Sequence, residues 1–136
     1  PADHALNVHS ELKLIDSLNY PFVGLMQYHS LQQSIETQAK LLNCAIQYRL
    51  RLPNFAAIAQ VVANGVGIAI MPKRAAQRLK HLYTFHQIEL VGEWAKRQLL
   101  LAAQNFDELP TAYQHFAQFL LSQKSTLILD EDFKTF

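Results

Sequence analysis

The sequence predicts an α/β domain with a mainly parallel sheet and helices on both faces. Three observations carry this expectation. Residues 48–72, YRLRLPNFAAIAQVVANGVGIAIMP, read as strand, turn, helix, glycine stop, strand and turn, which is a β-α-β unit. Segments of strand character alternate with segments of helical period along most of the chain, as a parallel sheet with crossover helices requires. Half of the 136 residues are hydrophobic and 17% are charged, enough apolar side chain for one packed core and too much for disorder.

Residues 1–18 are polar with scattered Leu and fit neither period. They predict a loop with a short strand and a helical turn at 14–18. Tyr20-Pro21 is a breaker pair, and residues 21–25, PFVGL, form a short strand of buried type. A helix begins at Ser30. Ser30 with Gln33 matches a capping box, and Leu31, Ile35, Ala39 and Leu42 share one face. Residues 44–52 lead into the strand Tyr48–Leu52, which Pro53 ends because it has no N–H for a central ladder. Asn54 is a good N-cap, and Phe55, Ile58, Ala59 and Val62 come after it at helical spacing. Asn64-Gly65 stops that helix, since Gly adopts the left-handed conformation cheaply. The apolar run 68–71 between Gly67 and Pro72 predicts a buried strand.

Residues 73–80, KRAAQRLK, predict a short basic helix. Alternation over 83–91 predicts a strand at 88–91, and the apolar run 99–103 predicts another. Pro110 sits at a helix start, and Ala112, Tyr113, Phe116, Ala117 and Leu120 give that helix an apolar face through to Gln123. Residues 125–136 form a tail expected to add an edge strand or stay mobile.

Composition narrows the function. A net charge of +1 leaves no overall electrostatic footprint for nucleic acid or an anionic membrane. No run approaches the ~18 apolar residues that a membrane span needs. The single Cys44 rules out an internal disulfide and suits a reducing compartment. Beside Ala45 and Ile46 it reads as a small buried hydrophobe. No signal peptide is visible, and the start at Pro1 without an initiator Met leads us to expect a piece of a longer protein.

In a parallel sheet, ligands bind outside the carboxyl ends of the strands, at helix N-termini. Three turns therefore matter: residues 26–30, residues 53–55 and residues 71–73. Free N–H groups at two of them suit a carboxylate. Gln27, Ser30 and Asn54 can donate hydrogen bonds, and Phe55 offers an apolar wall. Each residue also has a plainer reading. Ser30 and Asn54 are explained by capping, Phe55 by the core, and His29 is a base, a ligand contact or polar loop. Lys73, Arg74, Arg78 and Lys80 suit a solvated helix face. The His residues lack metal spacing, so no metal or other cofactor is expected. Gly65-Val66-Gly67 comes after a helix, the wrong context for a dinucleotide fingerprint. No serine elbow, Cys–His pair or carboxylate pair stands out, so an enzyme is not expected.

The central unit and the segments after it resemble the effector-binding domain of LysR-type transcriptional regulators. The resemblance rests on F-x-x-x-x-x-x-V-x-x-G-x-G-I-x-x-x-P, carried here by Phe55, Val62, Gly65, Gly67, Ile68 and Pro72. Trp94, Ala95, Lys96 and Arg97 with Leu99, Leu100 and Leu101 resemble the family's W-x-x-R and closing strand. Leu109-Pro110 with the helix after it resembles the last helix, and residues 21–25 with Ser30-Leu31 also fit. His4-Ala5-Leu6 resembles H-P-L-A, with Ala5 for the proline and Asn7 for the alanine.

The resemblance implies a periplasmic-binding-protein-like (type 2) fold of two α/β subdomains around an effector cleft. Residues 1–93 resemble the second subdomain, residues 94–124 the crossing strand and last helix of its partner, and 125–136 a C-terminal tail. Taken with the turns above, it gives a small, anionic or polar effector held at Gln27, Tyr28, His29, Ser30, Pro53, Asn54, Phe55 and Pro72. It further implies a homo-oligomer (dimer or tetramer), a cytoplasmic location without membrane contact, and DNA binding through an N-terminal helix-turn-helix outside this chain. With the rest of the first subdomain absent, the cleft would have one wall. The 99–103 strand and the 111–122 helix would expose apolar surface, to dock elsewhere or pair between chains. A periplasmic-type solute-binding domain is the alternative of the same fold, and a small α/β enzyme a third reading.

Overall fold

The computed structural model describes residues 1–96 and 101–127. Contacts divide the chain into two units, Pro1–Gly92 and Glu93–Phe136.

The first unit opens with a 3-10 turn, Ala5–Val8, in place of the expected loop. His4 Nδ1 accepts from Leu6 N at 3.2 Å and caps the turn. Strand β1 (Glu11–Leu12) leads to the single-turn helix α1 (Leu14–Ser17), which buries Leu14. Strand β2 (Phe22–Leu25) is buried at every residue and forms the centre of the unit. Helix α2 (Ser30–Leu41) buries Leu31, Ile35 and Ala39 as its spacing predicts, while Leu42 stays 43% exposed. Strand β3 (Tyr48–Leu52) pairs parallel with β2, with Leu25 opposite Leu52. Helix α3 (Phe55–Ala63) buries Ile58, Ala59 and Val62, and burial of side chains like Ile58 or Val62 stabilises by about 1.5–3 kcal/mol each. Helix α4 (Lys73–Leu79) and strand β4 (Glu89–Leu90) complete the unit. β4 pairs parallel with β1.

Both long helices of this unit stop in the same way. At the end of α3, Gly65 (φ 77°) sends its N–H to Val62 O and Val66 sends its N–H to Val61 O. At the end of α2, Asn43 (φ 54°) repeats the motif, with Asn43 N to Lys40 O and Cys44 N to Ala39 O. The glycine stop was legible; the asparagine stop was not, because Asn enters the left-handed region less often than Gly. Cys44 is half-buried and donates to Leu42 O, so it is not the core hydrophobe that its apolar neighbours suggested.

Three expectations need correction. Among the described residues all strand pairing is parallel, but it forms two small two-stranded sheets in place of one larger sheet. The expected strand at 68–71 is reduced to one bridge, Phe22 to Ile68, after which the chain leaves the sheet. Gly67 permits that bridge, because a Cβ there would run into the Pro21 carbonyl oxygen. Third, the N-cap of α2 is His29, not Ser30, so Ser30 and Gln33 do not form a capping box.

In the second unit, residues 93–95 form a 3-10 turn and Thr111–Leu127 form helix α5. Pro110 precedes α5 as its cap, accepting from Tyr113 N and Gln114 N. Residues 101–103 are not strand, while 99 and 100 lie outside the described residues, as do 128–136 of the expected tail. Ala117 of α5 is buried, whereas Tyr113, Phe116, Phe119 and Leu121 are exposed.

Candidate functional site

β2 runs through α2 to β3 on one side, and β3 runs through α3 back to Ile68 on the other side of β2. The two crossovers therefore step in opposite directions along the sheet. Right-handed connections then put α2 and α3 on opposite faces. Adjacent strands whose helices leave to opposite faces open a crevice at their carboxyl ends, the usual ligand position in such sheets.

The two turns at that rim are residues 26–30 after β2 and residues 53–55 after β3. They are tied together directly, since Met26 N donates to Leu52 O at 3.2 Å. Parallel pairing thus puts the starts of α2 and α3 on a common edge, with Leu25 and Leu52 in register beneath them. Asn54 caps α3 through Oδ1, which accepts from Ala57 N at 2.9 Å. Its role as a cap is as the sequence predicts.

Gln27, Tyr28, His29 and Ser30 occupy the first turn, and Pro53, Asn54 and Phe55 the second. Tyr28 is 69% exposed and its ring leans on that of His29, with centroids 4.6 Å apart. His29 Nε2 is buried and has no hydrogen-bond partner among the described residues. Phe55 is half-buried, between the wall and core roles foreseen for it. Pro72 caps α4 after residues 69–71 have left the sheet, so among the described residues no ladder joins this third turn to the other two.

Beneath the rim lies a polar network that the sequence reading missed. Gln32, 2% exposed on the first turn of α2, accepts from Leu25 N at 2.9 Å through Oε1. Its Nε2 donates to Glu36 Oε1 at 3.1 Å and to the Tyr48 hydroxyl. Arg51 of β3 donates to Leu25 O at 3.2 Å and to Glu36 Oε1 at 2.8 Å, with its guanidinium 3.9 Å from the Tyr48 ring centroid. Both backbone polar groups of Leu25 are therefore held by side chains that meet on one carboxylate oxygen. The chain at 69–71 is not there to pair with Leu25 N–H, and Gln32 takes the place of the missing strand. Gly24 makes room, since a Cβ would sit 2.5 Å from a Tyr48 ring carbon and 2.8 Å from Gln32 Oε1. Burial, helped by the Glu36 charge, raises the Tyr48 phenol above its ordinary pKa, against the Gln32 hydrogen bond and the Arg51 charge, which lower it. The only sequence signal was a Gln and a Glu four apart beside the apolar stripe of α2.

Among the described residues no group of three or more His, Cys, Asp or Glu is placed to hold a metal ion, and no helix is long and apolar enough to cross a membrane. The exposed side chains of Lys73, Arg74, Arg78 and Lys80 make the solvated basic face expected of α4.

The family model described as LysR substrate binding domain matches residues 1–125. Neither curated proteins nor solved structures give a match to the chain. With parallel α/β units, paired helix starts on one rim and a family match over most of its length, the chain belongs to the LysR substrate binding domain family.

Proposed function

We propose that this domain senses a small anionic metabolite, of the carboxylate or phosphate class, held between the turn of Gln27, Tyr28, His29 and Ser30 and the turn of Pro53, Asn54 and Phe55. The observation that carries the proposal is the shared rim. Two helices of 12 and 9 residues begin on adjacent parallel strands, so their positive dipole ends, and the first-turn amides that the Asn54 cap does not take, favour one negative group. A further feature supports it: His29 Nε2 is buried there without a partner among the described residues. Pro72 belongs to the third turn, which no ladder joins to this rim among the described residues.

The ligand then acts by preferring one arrangement of the regulator over another, since equal affinity for both shifts nothing. In this reading the regulator is a cytoplasmic homo-oligomer, and its DNA contacts come from a helix-turn-helix outside these residues. The LysR family match favours a regulator over a transport-delivery protein.

Asn54→Asp separates binding from folding. Asp caps a helix as well as Asn does, but it puts a negative charge on the rim. A panel of carboxylate and phosphate metabolites is screened by thermal shift. A ligand at ~100 times its Kd stabilises the native state by about 2.7 kcal/mol. The variant is expected to keep the unliganded melting temperature and lose the ligand-induced rise. An anion that stabilises Asn54→Asp and the parent chain equally would remove this site from consideration.

A further inference from the structure

The hydrogen bonds beneath the rim do more than fill a buried space. Gln32 lies two residues after Ser30, and Arg51 lies two residues before Pro53, so each stands next to one of the two turns. Their polar ends meet on Glu36 Oε1, at 3.1 Å and 2.8 Å. They also hold both backbone polar groups of Leu25, the residue from which the first turn departs: Gln32 accepts from its N–H and Arg51 donates to its C=O. The Tyr48 ring, beneath the Arg51 guanidinium, accepts from Gln32 through its hydroxyl and closes the circuit from the β3 side. A displacement of the first turn moves Leu25 and Gln32, and the shared carboxylate passes it to Arg51 and so to the second turn.

We propose that Glu36 is the hub of a positioning network that couples the β2–α2 turn to the β3–α3 turn, so that a ligand touching either is registered by both. Gln32, Arg51 and Tyr48 are its arms. The coupling deepens the effector reading and rests on it for its purpose, but its existence can be measured without any ligand.

The measurement is amide hydrogen exchange on the 136-residue chain without ligand, comparing Glu36→Ala, Glu36→Gln and Val62→Ala. Val62 is buried in α3 outside the network, so its truncation destabilises the unit by leaving a cavity. Glu36→Ala is expected to speed exchange by ~10-fold at Met26 and His29 and, together with them, at Ala57 and Ile58, whose amides bond to Asn54 of the second turn. The Glu89 and Val91 amides, bonded to β1 and its neighbour, should keep their rates. Glu36→Gln retains an oxygen that both arms can reach and should restore most of the protection. Val62→Ala, a general loss of stability in the unit, should speed the Glu89 and Val91 amides as much as those of the two turns. Should Glu36→Ala fail to fold, Arg51→Lys, which loses the planar fork that reaches Leu25 O and Glu36 through separate nitrogens, is read at the same amides. Acceleration confined to α2, or spread evenly to Glu89 and Val91, overturns the coupling, as does a glutamine variant no better than alanine. No ligand enters this experiment, so its failure is distinct from a failure of anion binding in the Asn54→Asp test.

Discussion

Replacing Gln32 by Leu tests whether the buried network stabilises the fold or is merely tolerated. The two side chains are of similar size, so the change is one of polarity at a site that is 2% exposed. Buried polar groups can often be exchanged for apolar ones at no cost when every partner is removed together. Here the partners stay. Leu25 N–H, which Gln32 satisfies at 2.9 Å, is left buried without an acceptor, and Tyr48 and Glu36 each lose a donor. The orphaned amide costs about 1–3 kcal/mol and each lost bond about 1 kcal/mol, against a small gain in apolar contact. A net loss of about 2–4 kcal/mol is expected, a large part of the ~5–15 kcal/mol that holds a typical domain together. Urea unfolding monitored by circular dichroism measures it, with the midpoint falling and the slope against denaturant unchanged. In thermal melts the same loss lowers Tm by about 10–20 °C for a unit of this size. A variant as stable as the parent, or more so, refutes the reasoning that Gln32 substitutes for a missing strand.

The same geometry sets two further outcomes. Gly67→Ala sets a Cβ against the Pro21 carbonyl oxygen, backbone against backbone, and should break the Ile68 N to Pro21 O bond at a cost of about 2–4 kcal/mol. Gly65→Ala meets open space and carries only the left-handed penalty of about 1–2 kcal/mol, so urea midpoints in the reverse order contradict the assignment. Tyr48 should ionise above its ordinary value of 10.0 in the folded chain. The unfolded chain then loses the proton first, so the Tyr48 contribution to stability is full below about pH 10 and is lost as the pH rises above it. Phenolate absorbance and alkaline unfolding report this, and Tyr48→Phe should flatten the alkaline slope.

Local rules were legible wherever a residue's own chemistry decides its conformation. Asn54 caps because its oxygen reaches a backbone N–H three residues on, and Gly65 turns because it lacks a Cβ. The apolar stripes Leu31, Ile35, Ala39 and Ile58, Ala59, Val62 are buried because a 3.6-residue period leaves one face for the core. Two errors were also local in origin. Ser30 is a fine cap by type, yet the helix starts at it and not after it, so His29 takes the cap position. The run 68–71 has the composition of a buried strand, but composition cannot say whether a neighbour stays within pairing distance, and after Ile68 it does not.

The candidate site divides along the same line. That the turns after β2 and β3 begin helices, and that the chain has a parallel α/β character, could be read from residue order alone. Turn chemistry and hydrophobic period act within a few residues and need nothing distant. The folded chain set the two turns on one rim, because that depends on Leu25 lying opposite Leu52, 27 positions along the chain. It alone showed Gln32 and Arg51 meeting on Glu36. A buried hydrogen bond forms between whichever polar groups packing brings within about 3 Å, and no spacing in the sequence encodes that approach.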